Sequence, residues 1–199
     1  MAEILIATYN VKKRKELEQF LKEFEGVEVK TLADLETDPP IIVEDGKTFR
    51  QNAVKKAVTV SRFFKGLVLA DDSGLEVEAL QGKPGVRSAR FARKNATDTE
   101  NSKKLLRLLN KVPEKNRRAR FVCLIALAQA GMLLDTFEGE IKGEIVSKQR
   151  GKNGFGYDSL FRPASREETF AEMAPSDKNQ ISHRAQALKK VKESIHKYL

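Results

Sequence analysis

The clearest chemical feature of the chain is a pair of adjacent carboxylates, Asp71 and Asp72, directly after the apolar segment 67–70. Carboxylates at the end of a buried strand are costly unless a cation compensates them, and a hard divalent ion is a usual partner. Because neighbouring side chains of a strand point to opposite faces, one carboxylate could bind metal or activate water while the other orients the site. A solvated turn over 72–74 is the alternative. Glu44 is a third candidate oxygen ligand, with a surface carboxylate as its alternative.

A second candidate site is the polar turn that follows the first apolar segment. Thr8 and Asn10 supply short polar side chains and Lys13 supplies a cation, where the free N–H groups of a helix start would favour phosphate. Four consecutive cations over 12–15 open the predicted helix, although the helix dipole prefers anions there. This departure indicates an anionic ligand, and a solvated helix start with i,i+4 ion pairs is the alternative. Lys56, on the next predicted helix, is by itself typical of a solvated lysine.

Two segments nearer the C-terminus carry groups suited to a nucleobase. Phe155 and Tyr157 lie among three glycines, so their rings sit on a backbone that can approach a ligand closely and could stack on a base. A tight turn whose rings enter the core is the alternative. Lys178, His183 and Arg184 cluster near the start of the last predicted helix. Arg184 could bind phosphate or a purine edge and His183 could donate to a keto oxygen, whereas a structural histidine is the alternative.

These residues must be positioned by interspersed strands and helices, which predict a mixed-sheet α/β protein. Alternation and short apolar runs predict strands over 3–8, 27–32, 67–70, 121–128, 132–137 and 140–147. Apolar residues at helical spacing predict helices over 12–24, 48–64, 97–112 and 181–195. Thr48 with Gln51 and Thr97 with Glu100 form the pattern of a capping box. A loop is predicted over 38–40.

The charge of the chain is large and local. Its 199 residues include 37 Lys and Arg against 28 Asp and Glu, a formal net charge of +9. The whole excess lies in 81–120, which holds 13 basic and 3 acidic residues. Nucleic acid, an anionic membrane surface and a polyanionic small molecule would all fit such a segment. The 40% of apolar residues excludes a disordered low-complexity protein.

Composition also limits the class of protein. We find no apolar stretch of the roughly 20 residues that a membrane span needs, and no signal-peptide pattern near the N-terminus. Cys123 is the single cysteine, which excludes an internal disulfide and a cysteine-based zinc site. We therefore expect a cytoplasmic protein.

The candidate segments, in their order along the chain, resemble the inosine-triphosphate pyrophosphatase family. The blocks that carry the resemblance are ATYN, EDGKTFRQNA, ADDSGLEVEALQGKPGVRSARF, GFGYDSLF and FAEMAPSDKNQISHRAQAL. They extend from about residue 4 to residue 190, nearly the whole chain. Members of that family hydrolyse deaminated purine nucleoside triphosphates such as dITP, ITP and XTP. The resemblance implies cleavage between the α and β phosphates with Mg²⁺, giving a nucleoside monophosphate and pyrophosphate.

The resemblance also implies an architecture and a state of association. The family fold is an elongated α/β structure, with two lobes around a long mixed, twisted sheet and the active site in the cleft between them. Residues 1–199 would form one such domain, whose lobes do not fold independently. A homodimer is expected, with a purine nucleoside triphosphate as substrate and with neither a membrane nor a stable nucleic-acid partner.

Three groups of site residues follow from matching the blocks to the family pattern. The polyphosphate would be held by Thr8, Asn10, Lys13 and Lys56. Glu44 and Asp72 would bind the metal, with Asp72 as proton acceptor for the attacking water, Asp71 in support and Ser73 as a substrate contact. The base pocket would contain Phe155, Gly156, Tyr157 and Asp158, with Phe155 stacking, and the base edge would be read by Lys178, His183 and Arg184.

Three positions depart from the family pattern. Tyr9 and Asn153 stand where glycine is common, and Ser159 stands where proline is usual. They bear on the rigidity of the loops and on substrate preference, but not on the reaction.

Overall fold

The structure, a computed structural model, describes residues 2–37 and 39–199, so Asp38 of the predicted loop lies outside it. The strands are β1 Ala2–Ile6, β2 Val27–Thr31, β3 Leu67–Val77, β4 Arg118–Gln129, β5 Met132–Ile145 and β6 Phe161–Pro163. The helices are α1 Val11–Leu21, α2 Phe49–Val60, α3 Asp98–Leu109, α4 Pro175–Ile181 and α5 His183–Ser194. Within the described ranges, no helix combines the length and the apolar character that crossing a membrane demands.

The strands form one six-stranded sheet in the order β2-β1-β3-β4-β5-β6. β1 pairs in parallel with both β2 and β3, and Ile4 lies opposite Val29 on one side and Leu67 on the other. β6 pairs antiparallel with β5, through Ile145 and Phe161 among others. The predicted mixed-sheet α/β class is therefore confirmed.

Residue contacts divide the chain into two compact units. The first unit contains 1–72, 124–138 and 187–199, and the second contains 73–123 and 139–186. Each of β3, β4 and β5 contributes residues to both units.

The first unit is built around β1, whose last residues Ile4, Leu5 and Ile6 are fully buried. Parallel strands such as β2, β1 and β3 are typically covered on both faces by the helices that connect them, which explains the continuous apolar run of β1. α2 turns Ala53 and Ala57 inward at helical spacing, and both are fully buried.

The second unit has its own core, in which aromatic rings are prominent. The Phe121 ring packs edge-on against Phe161 at 4.8 Å between centroids and stacks with Phe170 at 6.0 Å. Leu105 and Leu109, from the buried side of α3, belong to the same core. These rings come from β4, β6 and the segment after β6, so the core joins residues distant in the sequence.

Several predicted boundaries were wrong. β3 does not end at Ala70 but continues to Val77, and β5 is one strand where two were predicted. The last helix, predicted over 181–195, is α5 His183–Ser194, and the separate helix α4 before it was not predicted. Ser182 is extended (ψ 159°) and ends α4, and its hydroxyl accepts from the N–H of Ala185 in the first turn of α5. The second helix ends at Val60 rather than at Phe64.

Candidate active site

The two adjacent carboxylates lie inside β3, so the alternative of a solvated turn is wrong. Asp71 is fully buried and Asp72 is 5% exposed. As expected for neighbours in a strand, the two carboxylates have different partners. Oδ2 of Asp71 lies 3.0 Å from Nζ of Lys13, and Oδ2 of Asp72 accepts from Nδ2 of Asn52 at 2.9 Å. The cation of Lys13 and the amide donor of Asn52 thus offset part of the burial cost.

Lys56 is a buried part of this cluster rather than a solvated helical lysine. Its Nζ donates to Oε1 of Glu44 at 2.6 Å and to the backbone oxygen of Asp71. Burial opposes the charge of Lys56, but the carboxylates of Asp71, Glu44 and Asp72 outweigh that effect and raise its pKa. Lys56 is therefore a fixed cation beside the carboxylates.

Burial raises the pKa of Asp72 above that of an ordinary aspartate. The pKa of Asp72 is lowered by the cations of Lys56 and Lys13 and by the hydrogen bond from Asn52. The nearby carboxylate of Glu44 raises it further. A carboxylate with a raised pKa is a stronger base, which suits a group that accepts a proton from water.

The carboxylates of Glu44 and Asp72 are the donors that suit a hard divalent cation. They are close enough for the charge of Glu44 to raise the pKa of Asp72, so a cation there would relieve their repulsion. Mg²⁺ uses one or two protein carboxylates and completes its shell with water and substrate phosphates. The donor set therefore fits Mg²⁺.

The predicted phosphate loop is held by its own side chains. Oγ1 of Thr8 accepts from the N–H of Asn10 at 3.2 Å. Oδ1 of Asn10 caps α1 by accepting from the N–H groups of Lys12 and Lys13 at 3.0 and 3.1 Å. These bonds fix the start of α1 and so direct Lys13 towards Asp71. Contacts from Thr8, Asn10, Lys13 and Lys56 to phosphate stay predictions.

In the second unit, the glycine-rich loop over 151–158 brings several predicted base-site residues together. Nζ of Lys178 forms a buried ion pair with Oδ2 of Asp158 at 2.8 Å and lies 4.8 Å from the centroid of the Phe155 ring. The guanidinium of Arg184 lies 6.0 Å from that ring, and its Nη2 donates to Oγ of Ser73 at 3.0 Å. Cations close to an aromatic face are favourable, so Phe155 has a defined environment.

Two of the predicted site residues are packed more deeply than the sequence suggested. The ring of Tyr157 lies in the core, and its hydroxyl donates to the backbone oxygen of Ser88 at 2.8 Å. Burial raises the pKa of that hydroxyl well above its usual range. For Tyr157, the alternative of a ring that enters the core is correct, which leaves its backbone for any contact with a base. His183 is 5% exposed and stacks on Phe121, with 4.8 Å between ring centroids and an angle of 11°.

Sequence reasoning missed Asn52, which holds Asp72. A signal was present, because Asn52 and Lys56 are one turn apart within the buried stripe of α2. A polar side chain on an otherwise apolar helix face needs a partner, and here both partners belong to the carboxylate pair. Sequence reasoning also missed Phe121 as the support of His183, for which no local pattern gave a signal.

Comparison with known proteins places the chain among close relatives. A dITP/XTP pyrophosphatase of Geobacillus kaustophilus is 49% identical over 193 residues, which is 97% of this chain and 94% of the relative. Another, of Oceanobacillus iheyensis, is 43% identical over 98% of this chain and 99% of its own length.

Two solved structures are similar to this chain along nearly its whole length. A HAM1 protein from Coxiella burnetii has a TM-score of 0.89 and 40% identity, covering 99% of this chain and 100% of its own. The Ham1 protein of Staphylococcus aureus has a TM-score of 0.85 and 36% identity, covering 98% of both chains. The model of the Ham1 family matches residues 4–194. The family resemblance seen in the sequence is confirmed, and the chain belongs to the Ham1 family.

Proposed function

We propose that the protein hydrolyses noncanonical purine nucleoside triphosphates, dITP, ITP and XTP, to the nucleoside monophosphate and pyrophosphate. The observation that carries the proposal is the buried pair Asp71 and Asp72, with Lys13, Lys56 and Asn52 as partners. Phosphoryl transfer depends on positioning and on charge neutralisation more than on covalent help, so cations, a metal ion and one base suffice. The naming of the relatives as dITP/XTP pyrophosphatases supports the same substrate class.

In this reaction Asp72 accepts the proton of the attacking water. The water oxygen forms a bond to the α phosphorus, the α–β anhydride bond breaks, and pyrophosphate leaves with the electron pair. The amide of Asn52 fixes one oxygen of Asp72, and burial keeps that carboxylate basic. Asp71 orients Lys13, whose charge would stabilise the phosphates together with Lys56.

Glu44 and Asp72 would hold Mg²⁺, the cofactor that we propose. When bound, the ion supplies positive charge to the phosphate oxygens on which negative charge develops. Lys56, bonded to Glu44, keeps that carboxylate in position for the metal.

In this proposal, residues of the second unit discriminate between bases. Phe155 would stack on the purine, and donors of Lys178, His183 and Arg184 would face its edge. Hypoxanthine and xanthine present a keto oxygen at position 6, whereas adenine presents an amino donor. Donors that lose their acceptor on burial are penalised, so adenine nucleotides would be rejected. Contacts from Ser73, Gly156 and Asp158 to the substrate are part of the same proposal.

The proposal includes a homodimer and a cytoplasmic location. The homodimer is expected from the family resemblance and the cytoplasmic location from the composition of the chain, and light scattering after size-exclusion chromatography tests the homodimer directly. A mass of one chain, 22.4 kDa, would contradict the dimer.

The deciding experiment is a panel of dITP, XTP, ATP and GTP with Mg²⁺, with separate detection of pyrophosphate and orthophosphate. We expect pyrophosphate from dITP and XTP at a kcat/KM about 100-fold or more above that for ATP, the ratio that unpaired donors can give. The Asp72→Asn variant, purified in the same way, controls for contaminating hydrolases. Orthophosphate as the only product, or no product from dITP, would contradict the proposed function.

A further inference from the structure

Gly156 lies in the glycine-rich loop over 151–158, here called the base loop, and both of its backbone groups are held by one helix. Its N–H donates to Oδ2 of Asp98 at 2.8 Å, and its carbonyl oxygen accepts from Oγ of Ser102 at 3.4 Å. Asp98 and Ser102 are four residues apart in α3, so they lie above one another on the same face. Hydrogen bonds from this face of α3 therefore restrain the loop at Gly156.

The residues next to Phe155 in this loop are fixed as well. The N–H of Phe155 donates to Oδ2 of Asp158 at 2.8 Å, and the hydroxyl of Tyr157 donates to the backbone oxygen of Ser88. Gly156 itself has a φ of +63°, a left-handed conformation that glycine adopts without strain. The partly exposed ring of Phe155 is thus attached to a backbone segment that these hydrogen bonds restrain.

The start of α3 is itself rigid, so it can transmit this restraint. Thr97 and Glu100 form a complete capping box, and Arg93 pairs with Glu100 at 2.8 Å. Asp98 follows the cap directly and is exposed, in contrast to the fully buried Ser102. An exposed carboxylate bonded to a loop 58 residues away has little part in packing the core.

We propose that Asp98 is a positioning residue for base recognition, which holds Gly156 so that the Phe155 ring meets the purine without first being ordered. The inference rests on the proposed function and names the residue that pre-organises its base site. A loop ordered before binding avoids the entropy cost of ordering on binding, and that saving appears as affinity.

The test compares Asp98→Ala, which removes the acceptor, with Asp98→Asn, which keeps an acceptor oxygen but removes the charge. Thr99→Ala, at the exposed neighbouring position, is the matched control. For dITP we expect Asp98→Ala to raise KM about tenfold with kcat within about twofold, as for the loss of one hydrogen bond that acts on binding. Asp98→Asn and Thr99→Ala should behave like the unmodified protein.

A second measurement reports on the bond itself. Hydrogen exchange at the amide of Gly156 should become faster in Asp98→Ala and stay unchanged in Asp98→Asn. A KM in Asp98→Ala equal to that of the unmodified protein would overturn the inference, as would equal loss in the Ala and Asn variants, which would indicate a charge effect. If the unmodified protein releases no pyrophosphate from dITP, the proposed function fails and the inference fails with it.

Discussion

At the scale of single residues, the site is a set of polar groups buried where apolar ones would otherwise stand. Asp71, Asp72, Asn52 and Lys56 are all at most 9% exposed. Each charge is compensated by a partner from another element, so the cluster exists only when the first unit is folded. Burial of the Asp72 carboxylate, which raises its pKa, lowers stability and makes this group a stronger base.

At this scale, the prediction concerns the Asp72→Asn variant. We expect kcat for dITP to fall by roughly 10²–10⁴-fold, the usual contribution of a positioned general base. Because folding raises the pKa of Asp72, its carboxylate costs stability once the pH exceeds the unfolded value of 3.8, and the full cost is present above the folded value. The variant should therefore unfold at pH 7 at no lower temperature than the unmodified protein.

Circular dichroism and steady-state pyrophosphate release measure the two effects separately. Asp45→Asn, which alters an exposed carboxylate paired with Lys55, is the control and should keep its rate. A folded Asp72→Asn protein that retains most of its turnover would remove Asp72 from the proposed role.

At the scale of elements, the base loop is attached at both of its ends. Arg150, just before the loop, pairs with Glu172 at 2.8 Å, and Glu172 also accepts from the N–H of Thr169 at 2.8 Å. The hydrogen bonds from Arg150 and Thr169 lower the pKa of Glu172 to about 2. Together with α3 and Asp158, this pair makes the loop part of the second unit's framework.

The element-scale prediction is that Glu172→Gln lowers the melting temperature at pH 7. A lowered folded pKa contributes stability that is present above the unfolded value of 4.5 and is lost as the pH falls towards 2. The difference from the unmodified protein should thus shrink across that window. Salt should also reduce it, because the pair is solvent-exposed.

Thermal unfolding between pH 2 and pH 7 checks this prediction. Glu167→Gln is the control, since Glu167 is 95% exposed and its partner Arg162 also pairs with Glu144. A pH-independent difference for Glu172→Gln would show that the carboxylate's charge is not what stabilises the segment.

At the scale of the whole molecule, the net charge belongs to one unit. The second unit holds 21 basic and 12 acidic residues, and the first holds 16 of each. Part of the basic segment 81–120 has structural partners. Arg120 pairs with Glu76 and Glu140, and Arg117 donates to the carbonyl of Leu109 near the end of α3. The remaining positive charge of this segment would create an electrostatic field that attracts a triphosphate.

The whole-molecule prediction is that this field assists substrate capture. Raising NaCl from about 50 to 500 mM at constant excess Mg²⁺ should raise the KM for dITP several-fold with kcat within about twofold, because salt screens the field. Sucrose at matched osmolality is the control. A salt-independent KM would contradict the prediction, and inhibition by a short DNA duplex at about 0.15 M salt would favour a nucleic-acid partner.

Much of the fold was predictable where its cause is local. The capping box of Thr97 and Glu100 formed as predicted, and the hairpin turn occurs at Ala130 and Gly131, both with positive φ. The predicted ends of elements were wrong where residues distant in the sequence determine them. β3 continues through Asp71 and Asp72 because Lys13 and Lys56 compensate their charges, and neither cation is near them in sequence.

By itself, the sequence determined the family, the α/β class and the types of group available for the chemistry, because these depend on residue identity and short-range spacing. Only the tertiary structure decided that Lys56 is a buried cation, that Asn52 holds Asp72 and that Tyr157 supports the base loop from the core. The physical reason is that burial and pKa depend on which side chains surround a group in space. Those neighbours come from elements whose packing no local pattern specifies.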